Sequence, residues 1–232
     1  MAATSEIVSQ VPPMEAGDRL TRDEFERRWE LMPQVKKAEL IEGVVYMPTA
    51  VRYRQHGRPH SAIGSLLGLY ESATPGVESA DGSSVRLDND NEPQPDLLLR
   101  LDCSLGGQSW EDEEGYLTGA PELVVEIAAS SASYDLHQKL HVYRRHGVRE
   151  YVVWRVFDKG IDWFVLREGN YQPLSPDANG LLKSRVFPGL WLDAPALLRN
   201  DLGAAVATAN LGLASPEHAE FVAQLDKKRG GP

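Results

Sequence analysis

Residues 122–154 read ELVVEIAASSASYDLHQKLHVYRRHGVREYVVW. The run Leu123 to Ala129 is the most strand-like segment in the chain, and Tyr151 to Val156 is a second apolar strand. Between them Leu136, Leu140 and Tyr143 recur at helical spacing, Ser133 suits an N-cap, and Gly147 is a natural C-terminal stop. The order strand, helix, strand predicts one sheet with helices packed on it. One residue breaks the pattern. Glu126 interrupts LVVEIAA, and a carboxylate there is costly in a dry interior unless it is paired or bound to a metal.

Outward from this block the pattern stays mixed. Thr21 to Glu24 is a capping-box signature opening a helix to about residue 31, and AELIEGVVYM (38–47) reads as two short strands turning at Glu42-Gly43. His60 to Tyr70 is helical, with Ile63, Leu66, Leu67 and Tyr70 on one face. Val85–Leu87 and Asp96–Leu99 are strands on either side of a turn-rich loop, and residues 102–120 read as an exposed loop. Further strands are expected at Ile161–Leu166 and Leu182–Phe187, then helices over about 195–209 and 216–227. The fold class is therefore mixed α/β, a central mixed sheet flanked by helices. Residues 1–18 read as a flexible tail, 19–195 as the main domain and 196–232 as a helical extension.

Composition excludes several classes. Among 232 residues, 42% are hydrophobic and 25% charged, as in ordinary folded domains. No apolar run approaches the roughly 20 residues of a membrane span, and the first 18 residues lack a basic, apolar leader, so a cytoplasmic location is expected. Cys103 is the single cysteine, which rules out an intrachain disulfide or a cysteine-cluster metal site. The net charge of −10 argues against coating nucleic acid by bulk electrostatics. Its distribution is uneven: Arg52, Arg54 and Arg58 share a stretch without acids, whereas 13 acidic residues lie between Glu78 and Glu126.

Asp96 opens the apolar strand that follows Pro95, so Asp96 and Glu126 on neighbouring strands could offer two carboxylates to a hard cation. Equally, Asp96 could end a turn and Glu126 could pair with an arginine. Lys139 borders the apolar stripe of its helix. From there it could reach the sheet end that holds Glu126, or form an i,i+4 pair with Asp135. His137 and His141 have zinc-ligand spacing but lie about 160° around the helix from Lys139, toward solvent, with no third ligand. Trp154, Trp163, Phe164 and Trp191 read as core, Cys103 as structural or loop-exposed, and the acidic run Glu111 to Glu114 as a solvated loop.

The succession AELIEG, His60 opening a helix, PDLLL and the 122–154 block closely resembles the Uma2 (DUF820) endonuclease family. That family lies in the PD-(D/E)XK, restriction-endonuclease-like superfamily, and the likeness runs from about Thr21 to Leu192. It implies a restriction-endonuclease-like core in which Asp96, Glu126 and the backbone carbonyl of Ile127 bind Mg²⁺ or Mn²⁺ and Lys139 is catalytic. The superfamily pattern E-x-K would place lysine at position 128, where this chain has Ala128. Within Uma2 the lysine comes from the following helix, which Lys139 matches. Glu39 corresponds to an N-terminal glutamate of the family and could be a third ligand or simply start a strand. His60 could contact phosphate or the metal's outer shell, or cap its helix. Asp135 and Ser130 are candidate partners of Lys139, with a turn role open for Ser130.

The expected function is metal-dependent hydrolysis of phosphodiester bonds in nucleic acid, with DNA the expected substrate, Arg52, Arg54 and Arg58 holding backbone phosphates, and a homodimer compatible with cutting two strands. Two alternatives are a catalytically inactive nuclease-like scaffold that binds protein or nucleic acid, and a small-molecule phosphodiesterase.

Overall fold

In a computed structural model, residues 11–47, 52–129 and 134–230 are described. The chain opens with α1 (Arg22–Glu30) and a hairpin of β1 (Glu39–Ile41) and β2 (Val44–Tyr46). Glu42 and Gly43 form the hairpin turn with φ of 52° and 72°. Two consecutive left-handed residues are what a two-residue turn needs to match strand twist, and a glycine supplies one of them without strain. A π-helical turn (Tyr53–Gly57) runs into α2 (Arg58–Ala73), then come β3 (Val77–Asp81), β4 (Val85–Arg86), β5 (Leu97–Leu101), β6 (Trp110–Glu111), β7 (Leu117–Thr118) and β8 (Leu123–Ala128).

A second π-helical turn (Asp135–Lys139) leads into α3 (Leu140–His146) and β9 (Glu150–Arg155), followed by β10 (Gly160–Arg167), β11 (Asn170–Pro173), β12 (Leu181–Lys183) and β13 (Trp191–Asp193). Three helices close the chain: α4 (Ala194–Leu198), α5 (Leu202–Leu213) and α6 (Pro216–Arg229).

The central sheet has the order β11-β10-β9-β8-β5-β3, with β8 and β9 parallel and every other neighbour antiparallel. The parallel pair requires a crossover, and the π turn with α3 supplies it. Strand alternation sorts β8 between two cores. Leu123, Val125 and Ile127 join Ile63, Leu66, Leu67 and Tyr70 of α2, whereas Val124 and Ala128 join Tyr143, Tyr151 and Val153 beneath α3. Helices therefore cover both faces.

Two segments differ from their sequence reading. Met14 is buried with Phe25, Leu40 and Val45, and the Gly17 amide donates to the Val45 carbonyl, so these two residues of the expected 1–18 tail pack on the first hairpin. The strand expected to reach Phe187 stops at Lys183. Ser184 turns the chain there, its Oγ accepting from the Phe187 amide and donating to the buried Glu150 carboxylate. In the acidic loop Glu111, Glu113 and Glu114 are exposed, as its sequence reading expects, and Asp112 and Glu114 also tie it to Arg86, which lies 3.9 Å over the Tyr116 ring.

The C-terminal helices belong to the same core: Ala205, Ala209 and Leu225 pack in the main cluster, and buried His218 bonds Thr74 at the end of α2. Gly212 is required there, since a Cβ would lie 2.2 Å from the Gly189 carbonyl oxygen.

Glu92 joins the hairpin to the segment before β5 through paired backbone bonds with Leu40. Its side chain is fully buried, and burial first, then the neighbouring Glu26 carboxylate, pushes its pKa from 4.5 up to about 8. A raised carboxyl favours the folded state while protonated, so this contribution is whole below about 4.5 and is lost as pH rises through about 8. Glu92→Gln, which cannot ionise, should gain on the wild type by about 5 °C or more in Tm between pH 5 and pH 9. Parallel melting curves for the two proteins would refute it.

Candidate active site at the end of the central sheet

One rung beyond the last paired residues of β5 and β8, Leu97 and Val125, Asp96 lies across from Glu126. The antiparallel register thus makes neighbours of two residues 30 positions apart. The Ile127 amide donates to Asp96 Oδ2 at 2.8 Å, and the same oxygen lies 3.0 Å from His56 Nε2. Lys37 Nζ donates to Asp96 Oδ1 at 3.1 Å. Burial works to raise the Asp96 pKa, but the His56 bond, the Lys37 charge and the Ile127 amide outweigh it and hold the carboxyl well below its ordinary range. Burial likewise opposes the charge of Lys37, and Asp96, Glu126 and Glu39 more than restore it.

Lys139, on the second π turn, is 3% exposed. Its Nζ donates to Glu126 Oε1 at 2.8 Å and to Glu39 Oε1 at 2.7 Å. Glu39 reaches this point because β1 is tied to the segment before β5: its Oε1 also accepts from the Gln94 amide. Tyr143 on α3 donates to the same Glu126 oxygen at 3.0 Å. The π turn adds a residue to the helical repeat, a device frequent at functional sites, and delivers the lysine from a helix to a site built on two strands. Burial raises the Glu126 pKa; Lys139 opposes this, and Asp96, Asp135 and Glu39 add to it. Despite burial, Lys139 is held firmly as an ammonium by Glu126, Glu39 and Asp135.

Asp96, Glu126, Lys139, Glu39 and the Ile127 backbone thus converge. Asp135 is buried, its carbonyl accepts from Tyr151 OH at 3.0 Å, and its charge adds to the field on Lys139. The short ion pairs of Lys139 go to Glu39 and Glu126, not to the i,i+4 partner that sequence spacing offered. His60 Nε2 lies 3.0 Å from the Asp96 backbone carbonyl oxygen and 3.2 Å from Asp81, so it supports the chain at Asp96 rather than its carboxylate. Ser130 lies outside the described residues. Arg52, Arg54 and Arg58 are exposed, on and beside the π turn that carries His56 to Asp96. His137, His141 and Cys103 are exposed, while Trp154 and Trp163 are buried in the core.

Sequence reasoning missed Lys37 and His56. His56 had a signal, since His56 and His60 stand one helical turn apart and their rings stack at 5.6 Å. Lys37 had none, because its role comes from the hairpin being pinned against the start of β5.

The donor chemistry suits a hard divalent cation: carboxylate and backbone oxygens, without sulfur. Among the described residues no three acidic, histidine or cysteine side chains form a metal cage. Two facing carboxylates are nonetheless what Mg²⁺ commonly takes from protein, its other positions going to water and substrate phosphate.

No curated protein matches the chain. Its fold is similar to the crystal structure of a "putative nuclease belonging to DUF820" from Anabaena variabilis ATCC 29413, with a TM-score of 0.61 and 16% identity over 78% of this chain and 98% of that one. The family model for Uma2, described as "Putative restriction endonuclease", matches residues 22–195, the span from α1 to the start of α4 that contains Lys37, Glu39, His56, Asp96, Glu126 and Lys139. The chain therefore belongs to the Uma2 family.

Proposed function

We propose that this protein is a metal-dependent endonuclease that hydrolyses phosphodiester bonds in DNA. The observation that carries this reading is the buried Lys139 ammonium, held between Glu126 and Glu39 at the sheet end where Asp96 faces Glu126. Asp96 and Glu126, with the Ile127 carbonyl and Glu39, would hold Mg²⁺ or Mn²⁺. Bound there, the ion would lower the pKa of a water and offset charge on the scissile phosphate.

The chain's own groups do the rest. An ammonium has three N–H donors, and the carboxylates of Glu39 and Glu126 take two of them. The third orients the attacking water or meets the charge that builds on phosphorus. Lys37 and His56 keep Asp96 ionised, ready for a cation. Arg52, Arg54 and Arg58 hold flanking phosphates, which sets register without reading bases. Two copies, each with one site, would cut both strands of a duplex.

One observation favours a rival, a nuclease-like scaffold that binds without cutting: Lys139, Glu39 and Glu126 already compensate one another in the closed site. Calorimetry with Mn²⁺ separates the two. The nuclease reading expects wild type to bind Mn²⁺ and Asp96→Ala to lose at least tenfold in affinity; equal binding would exclude Asp96 as a ligand.

Lys139→Ala leaves two buried carboxylates without their cation, and should destabilise the fold by about 3 kcal/mol or more. An exposed helical pair would lose under about 1 kcal/mol. Lys139→Arg keeps the charge and the fold but not the compact ammonium geometry. Both variants, assayed well below their melting temperatures with Mg²⁺ or Mn²⁺, should cut DNA about 10² times more slowly than wild type. Wild-type rates in either would remove Lys139 from the chemistry.

The arginines generate a separate expectation. Replacing Arg52, Arg54 and Arg58 together by alanine should weaken binding to all DNA sequences alike and reduce the salt slope by roughly 1 per lost contact. An unchanged slope would take them out of the interface.

A further inference from the structure

Tyr134 immediately precedes the π turn that carries Lys139. Its ring lies tilted on Tyr46 at 4.4 Å, and Lys139 Nζ stands 5.5 Å from the ring centroid. The phenol is thus a wall of the Lys139 pocket. Its hydroxyl is buried and has no hydrogen-bond partner among the described residues. The neighbouring tyrosines contrast with it: Tyr46 donates to Gln138, Tyr143 to Glu126 and Tyr151 to the Asp135 carbonyl. Burial first, and then the charge of Glu39, hold the Tyr134 phenol well above its ordinary pKa, so it keeps its proton and has an O–H to donate. Glu39 Oε1 and Glu126 Oε1 both accept from Lys139, and neither is a partner of the Tyr134 hydroxyl.

A buried donor without an acceptor costs about 1 to 3 kcal/mol and calls for an explanation in a native fold. A missing acceptor beside an ammonium with a spare donor points to an anionic oxygen that arrives with the ligand. We propose that Tyr134 is a substrate-binding residue whose hydroxyl donates to a phosphate oxygen of the nucleic acid at the Lys139 side of the site. This rests on the nucleic-acid reading above but not on cleavage.

Tyr134→Phe removes a single oxygen and keeps the ring on Tyr46. Binding of single-stranded and duplex DNA oligonucleotides is measured by fluorescence anisotropy in EDTA, and cleavage separately with Mg²⁺ and Mn²⁺, beside melting of the free protein. The expected result is DNA affinity at least fivefold weaker and, where wild type cuts, slower cleavage, with a melting temperature equal to or above wild type because an unsatisfied group has gone. A structural hydroxyl predicts the reverse, a lower melting temperature with unchanged affinity, and that outcome overturns the proposal. Unchanged affinity and unchanged melting overturn it too, since the hydroxyl then meets only water. If wild type binds but never cuts while Tyr134→Phe binds more weakly, the endonuclease reading fails and Tyr134 keeps its role. If wild type binds no oligonucleotide, both fail.

Discussion

The ammonium of Lys139, buried between the carboxylates of Glu39 and Glu126, joins three parts of the chain that are far apart in sequence: the first hairpin, the central strand β8 and the crossover helix. Such a triad is expensive to bury, and its stability is no better than that of a well-packed apolar core. Its value is positional. With Oε1 of each carboxylate engaged by Lys139 and by a second donor, β1 is held against β8 and the lysine is held in place on its helix. The Tyr143 hydroxyl and the Gln94 amide complete the arrangement from α3 and from the segment before β5.

Around the triad the protein has built a second, separate charge pair. Asp96 is held by Lys37 and His56, while Glu126 and Glu39 share Lys139. The two groups sit side by side at the end of one ladder, yet their electrostatic outcomes differ. Asp96 has the His56 bond, the Lys37 charge and an amide bond, which hold its pKa down; Glu126 is deeper, among other acids, and its pKa rises. Adjacent carboxylates driven in opposite directions are a common preparation for dividing roles in a reaction.

Both π-helical turns lead into this site, one carrying His56 and the other Lys139. A wider turn spends hydrogen-bond quality to re-aim a side chain, and it persists where the surrounding packing holds it. Here the holding is done by layers on both sheet faces. The helices after residue 195, beyond the span of the family match, pack into the main cluster through Ala205, Ala209 and Leu225 and bond the end of α2 through His218. They brace the helix whose first turn supports Asp96.

Local chemistry alone determined much of this. The 122–154 block dictated strand, helix and strand, because apolar periodicity of 2 and 3.6 records which face is buried. Glu126 announced itself as the one carboxylate in an apolar strand, and Lys139 as a cation at the edge of an apolar stripe. Glu42-Gly43 prescribed the hairpin turn. What tertiary structure decided were the partners. Sequence spacing offered Lys139 to Asp135, but the π turn and the pinned hairpin delivered it to Glu39, 100 positions away. Lys37 became a partner of Asp96 through the long-range placement of the hairpin, which no local pattern encodes, His56 joined it from the π turn, and Ser184 ended a strand where its hydroxyl bonds Glu150. Periodicity reports how much of a residue is buried; which residue it meets depends on how distant strands align, and that is set only when the whole sheet has closed.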